Sequence, residues 1–342
     1  MPAKMSDIAE RLNLSISTVS YALNGGPKPV SSDVVRRVQE AAKELGYRPN
    51  RIARSLATGR TWTIGVVPAD VEANILLTPC IHLALNGIFN AAAKLGQDVL
   101  VFTAHDRNLP NEVAEDLLDS RVDGVVFIAP RTDSSALRVI ADSGLPYAVV
   151  AAVEKGGPGF VTDNRGGSLA ALDHLYGLGH RRIAHVYGSL FMEDANTRLE
   201  TYRTFMRDKG LEIPAAFELE GNYHREGGYD AGLRFARMGE ACPTAIYCAN
   251  DDIAFGVIDA LKSEGVAVPD RVSVVGFDDA PIASSFHPPL TTIRQPLELM
   301  SARAMSSVVA QVETGVLVEG SLFPPELVIR GSTAPSYKEI IQ

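Results

Sequence analysis

The chain has 342 residues, 46% hydrophobic and 21% charged, with a formal net charge of −9. That length exceeds one ordinary domain and allows two or three compact units. No apolar run reaches the ~18–20 residues of a membrane helix, and charged residues from Lys4 to Arg11 interrupt any signal-peptide core, so a cytoplasmic protein with no membrane partner is expected. Cys80, Cys242 and Cys248 have neither paired nor metal-ligand spacing, which predicts buried free thiols and no metal site.

The charge is unevenly divided. Residues 1–60 hold 10 Lys+Arg against 5 Asp+Glu, a net of +5, and the remainder holds 22 against 36, a net of −14. A basic module on an acidic body fits nucleic-acid binding confined to one end; a chance surface asymmetry is the plainer alternative.

Taken in chain order, Ser6 is expected to cap a first helix with Ile8, Ala9 and Leu12 on one face. Asn13-Leu14 makes a turn, and Ser15 caps a second helix that turns Val19, Ala22 and Leu23 inward. Ile16, Ser17, Ser20 and Tyr21 fall on or near the opposite face. A third helix begins after Ser31 or Ser32, carries Val34, Val38, Ala41 and Leu45, and stops at Gly46. Two short helices around a tight turn, the second presenting short polar side chains, form a helix-turn-helix. A helix in the major groove reads base edges near its N-terminus while neighbouring groups hold phosphates. Ser17 and Tyr21 are the base-edge candidates, Thr18, Ser31 and Arg51 the phosphate candidates. A three-helix bundle with solvated hydroxyls is the other reading of this segment.

Tyr47-Arg48-Pro49-Asn50 then breaks the third helix, and Asn50 can cap a piece from Arg51 to Thr58 that stops at Gly59. An isolated helix below about 12–15 residues is marginal in water. This one carries Arg51, Arg54 and an unsheltered Leu56, features that fit a hinge folding on DNA with an apolar wedge for the minor groove better than an ordinary linker.

With TVSYALNG, VSSDVVRRVQEAAKELGYRPNRIARSLATGRT and the hinge pattern Tyr47, Pro49, Asn50, Ala53, Leu56, the run from Ile8 to Thr61 resembles the lactose-repressor/galactose-repressor family of bacterial transcription regulators. The resemblance implies that hinge helices of two subunits pair in the minor groove, with Leu56 opening a central base step and Ala53 beside it. It also implies a DNA surface of Ser15, Ile16, Ser17, Thr18, Ser20, Tyr21, Ser31, Asn50, Arg51, Ala53, Arg54 and Leu56. One departure stands out. The family usually has arginine after T-V-S, where this chain has Tyr21; arginine pairs bidentately with guanine and tyrosine does not, so a different operator half-site is expected.

From Trp62 onward short apolar strands alternate with amphipathic helices. Strands are expected at Thr63–Val67, Val99–Phe102, Gly124–Ile128, Tyr147–Ala151, Ile183–Tyr187, Ala245–Cys248 and Val272–Phe277, and helices near 80–95, 111–120, 134–143, 166–178, 195–209, 226–238, 252–264 and 297–313. This alternation predicts α/β structure with parallel sheets. Its length predicts two subdomains, with ligand at the strands' C-terminal ends. The resemblance extends here through IGVV, LGHRRIAHV, CANDDIAFGV, VSVVGFDDAP and PPLTTIRQP, similar to the family's effector domain and to periplasmic sugar-binding proteins. The implied organisation is a helix-turn-helix domain over 1–49, a hinge over 50–61 and an effector and dimerisation domain over 62–342. Within the last, an N-subdomain takes about 62–162 and 292–320, and a C-subdomain about 163–291 and 321–334.

The resemblance also implies effector contacts at Asp163, Arg198, Tyr223, Asn250 and Asp278, with no cofactor. Acid, amide and guanidinium groups satisfy many hydroxyls at once, and an aromatic ring can stack on a sugar face. Arg198 could instead be a helix-surface arginine, since Thr201 and Tyr202 replace the last two residues of the family's R-x-x-G-F. Asp251 and Asp252 could suggest a metal, but capping of the 252–264 helix is the expectation. Pro68 to Cys80 is more aliphatic than the family's N-P-F-F turn, and Ile128-Ala129-Pro130 is similarly apolar, which points to an effector less polar than a free hexose.

An enzyme is not expected: G-x-G-x-x-G after a strand, a Walker loop and a G-x-S-x-G elbow are all missing. The reading is therefore a homodimeric transcriptional repressor on a near-palindromic operator, controlled by a small sugar-like metabolite. The tail after Ser332 lacks the heptads of a tetramerising coil. The alternative is a free-standing cytoplasmic solute-binding protein with a nonspecific basic module.

Overall fold

A computed structural model of the chain describes residues 3–25, 29–48, 55, 58–68, 79–102, 115–152 and 157–336. The hinge residues Asn50, Arg51, Ala53, Arg54 and Leu56 lie outside them, as do 69–78 of the aliphatic run and the start of the helix expected near 111–120. The chain divides into two compact units, Met1–Thr61 and Trp62–Gln342.

In the first unit the 3.6-residue spacing of apolar side chains gives helices α1 (Met5–Leu12), α2 (Ile16–Asn24) and α3 (Ser32–Glu44). Ile8, Ala9, Val19, Ala22, Val38, Ala41 and Ala42 form the core, with Leu12, Leu14, Leu23, Val34 and Leu45 packed around it. Asn13 makes the turn in the left-handed region (φ 54°), and the Leu14 N–H returns to the Ala9 carbonyl at 2.9 Å. Asparagine tolerates this conformation better than most residues. One expectation is corrected: Ser6 does not cap α1. The helix starts two residues earlier, Lys4 is its cap residue, and Asp7 accepts the Lys4 backbone N–H at 2.8 Å. Ser15 does cap α2, accepting the Thr18 N–H at 3.0 Å.

The second unit runs β1 (Thr63–Pro68), α4 (Pro79–Lys94), β2 (Asp98–Val101), β3 (Gly124–Ile128), α5 (Ser135–Ser143), β4 (Tyr147–Val150), β5 (Gly159–Thr162), α6 (Asn164–Gly177), β6 (Ile183–Tyr187), α7 (Glu193–Asp208), β7 (Glu218–Glu220), α8 (Arg225–Ala236), β8 (Ala245–Cys248), α9 (Asp251–Ser263), β9 (Ser273–Asp278), β10 (Thr291–Arg294), α10 (Leu297–Thr314), β11 (Ser321–Phe323) and β12 (Glu326–Val328). Two six-stranded sheets result, ordered β11-β5-β4-β3-β1-β2 and β12-β10-β9-β8-β6-β7. All the pairings are parallel except β10 with β12. Parallel sheets are buried on both faces, and each sheet here lies between two apolar clusters. On one face of the second sheet α8 and α9 approach closely: a Cβ on Gly228 would stand 2.2 Å from the Ile253 carbonyl oxygen, and one on Gly256 2.0 Å from that of Arg225.

The expected subdomain boundaries shift. β10 pairs with β9 in the second sheet, so the chain returns to the first sheet after Arg294 rather than at 292. β11 pairs with β5, so residues 321–323 belong to the first sheet and the last crossing falls between Phe323 and Glu326. The short strands β5, β7, β10, β11 and β12 were not among those expected. At three or four residues each, they carry too little pattern to register before their partners are known.

Candidate nucleic-acid interface and ligand cleft

On α2 the outward face follows from the inward one. Burying Val19 and Ala22 leaves Ile16 55% exposed, Ser17 exposed, and Ser20 and Tyr21 half-buried. Ser15 and Thr18 are engaged with each other, their hydroxyls 2.8 Å apart, so they frame the start of the helix. Ser31 occupies the cap position of α3 without a side-chain cap bond. An apolar side chain more than half exposed beside three hydroxyl-bearing residues suits a groove with both methyl groups and hydrogen-bonding edges. Among the arginines nearby, Arg36 pairs with Asp33 at 2.7 Å and Glu40 at 3.2 Å, and Arg11 pairs with Glu44.

In the second unit, strained backbone marks the strand ends. Among the described residues nine non-glycine positions have positive φ, and Ala129, Ala151, Asn222, Tyr223, Asp278 and Asp279 all lie at or just after the C-terminal ends of strands. Such conformations persist where the surroundings over-determine them, often at functional sites. Ala129 and Ala151 follow strands of the first sheet, and Asn222, Tyr223, Asp278 and Asp279 end or follow strands of the second.

Arg198, one turn into α7, is the hub of the cleft. Its side chain is 2% exposed; Nε and Nη2 donate to Asn164 Oδ1 at 3.0 and 2.8 Å, and Nη1 donates to the Ala249 carbonyl at 2.5 Å. Nη2 also pairs with Asp194 at 3.2 Å, and the guanidinium lies 3.7 Å over the Phe277 ring. Burial acts against this charge, but Asp194 and other nearby acceptors outweigh it and raise the pKa further, so the group stays cationic. The surface-arginine alternative is thereby overturned.

Asp278 ends β9 with φ 123° and is 5% exposed. Gln295 Nε2 donates to its Oδ1 at 2.6 Å. Burial pushes its pKa up to about 7, against the pull of Arg198 and Gln295 and with the repulsion of Asp194 and Asp252. Burial likewise raises Asp252 to about 6. Tyr223 backs onto Gly188, where a Cβ would stand 2.2 Å from the ring. Its hydroxyl is buried with no well-formed hydrogen bond within the chain, while Asp194 is near enough to disfavour its ionisation.

Asn250 is the cap of α9. It accepts the Ile253 N–H at 2.9 Å and donates to the Tyr223 carbonyl at 3.2 Å, fixing the strained Tyr223 loop. This corrects the expectation for Asp251 and Asp252, neither of which is the cap. Asp251 is fully buried instead, accepting the Ala280 N–H at 2.7 Å and the Thr292 hydroxyl at 2.5 Å.

From the first sheet, Cys80 at the start of α4 lies close enough for Asp278, Asp194 and Asp252 to raise its thiol pKa, with burial the larger cause. A contact joins the segment after β3 to the segment after β6. The Thr132 N–H donates to the Phe191 carbonyl at 2.9 Å, and Arg131 stacks 3.8 Å over the Phe191 ring.

Family models match twice: bacterial regulatory proteins, lacI family, over residues 4–50, and a periplasmic binding protein-like domain over residues 172–333. The chain is 33% identical over 335 residues to the ribose operon repressor of Escherichia coli strain K12, spanning 96% of this chain and 99% of that one. It is 30% identical to catabolite control protein A of Priestia megaterium, over 89% of this chain and 91% of the relative. Among solved structures, the lac repressor dimer bound to operator and the anti-inducer ONPF superposes with a TM-score of 0.84 at 28% identity, covering 98% of this chain and all of that one. This chain belongs to the lacI family. It is a DNA-binding transcriptional regulator built from a helix-turn-helix unit and a periplasmic-binding-protein-like unit.

Of the effector residues named from this lacI-family resemblance, the structure brings Arg198, Tyr223, Asn250 and Asp278 together. Asp163 Oδ1 accepts the Gly166 N–H at 2.8 Å as the cap of α6, and its neighbour Asn164 reaches Arg198. Sequence reasoning missed Asp194, Asn164, Gln295 and Cys80. Asp194 was findable, since it stands four residues before Arg198 on one helix. Gln295 becomes a neighbour of Asp278 only through the β9–β10 register, in which Arg294 pairs with Asp278. Among the described residues no group of three His, Cys, Asp or Glu side chains converges to hold a metal ion, and no helix is long and apolar enough to cross a membrane.

Proposed function

We propose that this lacI-family member is a repressor that binds a near-palindromic operator as a homodimer and is controlled by a small hydroxylated metabolite held between the two sheets. The observation carrying the proposal is the pairing, in one chain, of an α2 face left open by its own core with a cluster of Arg198 and Asp194 from α7, Asp278 from the end of β9 and Tyr223 from the loop after β7. Polyols suit such a set, because a carboxylate accepts two hydroxyl protons and a phenol can donate or accept. The relatives named above support repression and a sugar-like effector, and the lac repressor structure supports the dimer on operator. Exposed Phe89, Tyr229 and Ile282, at 46%, 38% and 47%, offer apolar surface for self-association. Coupling between effector and DNA of only ~1–3 kcal/mol changes affinity 5–150-fold.

The test is a fluorescence-anisotropy titration of the purified full chain against a selected pool of palindromic duplexes at two salt concentrations, with Leu56→Ala beside it. Saturable preference for one duplex over random DNA, weakened at least tenfold by Leu56→Ala, is expected. Weak, sequence-blind binding that falls steeply with salt is nonspecific electrostatics and would return the chain to the solute-binding alternative.

A further inference from the structure

We propose that Asp194 is a specificity-determining residue of the cleft: by occupying Arg198 it removes the anion-binding cation and selects an uncharged, hydroxyl-rich effector over phosphate esters and carboxylates. This rests on the cleft being the effector site.

The argument begins with the donor count of Arg198. A guanidinium has five N–H bonds and grips phosphate or carboxylate through a planar two-pronged fork. Here Nε and Nη2 donate to Asn164 and Nη1 donates to Ala249. Asp194 stands 3.2 Å from Nη2 as its ion-pair partner, so an anion reaching for the remaining hydrogens meets a carboxylate already set against that nitrogen. The ring of Phe277 covers one face of the group. Neutralised by Asp194 and held by Asn164 and Ala249, Arg198 supports the cleft rather than presenting an open fork.

What remains to meet a ligand is acceptor-rich. Asp194, Asp252 and Asp278 are near enough to one another that each of the first two raises the pKa of the third, and all three act on Cys80 opposite. Arg198 is the buried cation set against them; Arg225, which with His224 pulls the pKa of Asp252 back down, is itself exposed and paired with Asp259 at 2.6 Å. A phosphate or carboxylate brought here would meet carboxyl groups and no open guanidinium fork, whereas hydroxyls would donate to them. The buried Tyr223 hydroxyl, close to Asp194 but without a well-formed hydrogen bond, is a further polar group for a ligand to meet. A cation in place of the polyol is disfavoured by dispersal of the carboxylates, which do not converge as a chelating set.

The experiment uses the full chain and matched probes: D-ribose, D-glucose and adenosine against ribose 5-phosphate, glucose 6-phosphate, D-gluconate and adenosine monophosphate. Thermal shift screens them, and calorimetry measures those that bind. Wild type is expected to bind at least one neutral member and to discriminate against its anionic counterpart at least tenfold. Asp194→Asn, with Asp194→Ser as a second variant should the first fold poorly, is expected to narrow that discrimination at least tenfold by freeing the Arg198 fork. Equal binding of a neutral probe and its ester by wild type overturns the proposal, as does unchanged discrimination in both variants, or failure of every neutral probe. Operator anisotropy in parallel separates this from the broader reading. An anionic probe that shifts operator occupancy sinks the Asp194 proposal and leaves effector control standing. A neutral probe that binds without moving occupancy does the reverse.

Discussion

Among the described residues of the N-terminal unit seven are buried, none larger than isoleucine. From Trp62 onward the fully buried side chains include Arg198, Tyr202, Tyr247, Phe127, Phe217, Phe235, Phe255 and Phe277. The small unit excludes polar groups from its core and puts hydroxyls outside. The large one buries a guanidinium and two carboxyl groups, Asp251 and Asp278, and satisfies them one by one. A small domain has little apolar area to offset the desolvation of a charge, so its chemistry stays on the surface. The larger unit has enough packing around it to hold charges in place, and it places them at the strand ends where backbone strain also collects.

That contrast can be broken by removing the buried cation. Arg198→Met leaves Asp194 and the Ala249 carbonyl without their partner, and truncating one side of a buried pair costs about 3–5 kcal/mol. Denaturant unfolding should show the loss in the large unit alone, with operator binding retained where the unit remains folded. Restoring neutrality with Asp194→Asn in the same chain should recover part of it, and no recovery would mean that the ion pair is not what Arg198 contributes. Ile8→Ala acts on the other side of the contrast. Removing a fully buried isoleucine costs about 2–5 kcal/mol, much of the stability a unit of this size can have. Operator binding should disappear while ligand-induced thermal stabilisation of the large unit is unchanged.

Asp278 sharpens the comparison through pH. Its folded pKa is raised from 3.8 to about 7, so the folded state binds the proton more tightly than the unfolded state. The carboxyl therefore costs no stability below the unfolded value, and its penalty grows as pH rises from there through about 7. Asp278→Asn should raise the melting temperature at pH 8 and have little effect near pH 4, while abolishing the effector response. Equal shifts at both pH values would show that the carboxyl is not held protonated. The smallest effect is expected from Ser15→Ala, which removes the α2 cap and costs about 1 kcal/mol, read as a lower urea midpoint for the first unit.

Much of the fold was legible in the chain. Seven strands and the helices around them follow from apolar runs alternating with 3.6-residue patterns, and their bounds differ by only a few residues from those expected. The short strands escaped, as did the exact crossings between sheets, because a three-residue strand such as β11 is defined by its parallel partner β5 and by little in its own sequence. The site divided the same way. Arg198, Asn250 and Asp278 stand at strand ends or on a patterned helix and were visible, but whether Arg198 faced solvent was not.

The sequence by itself determined the two-part organisation, the hydroxyl-bearing face of α2 and the residues available to the cleft, because periodicity, capping and charge distribution are local properties. Only the tertiary structure decided how those residues are used. It turned Asp163 to capping and Asn164 to the guanidinium, set Asp194 against Arg198, and brought Gln295 to Asp278 through strand register. Hydrogen-bond partners and desolvation depend on groups far apart in the chain, and those meet only when the sheets close over their cores.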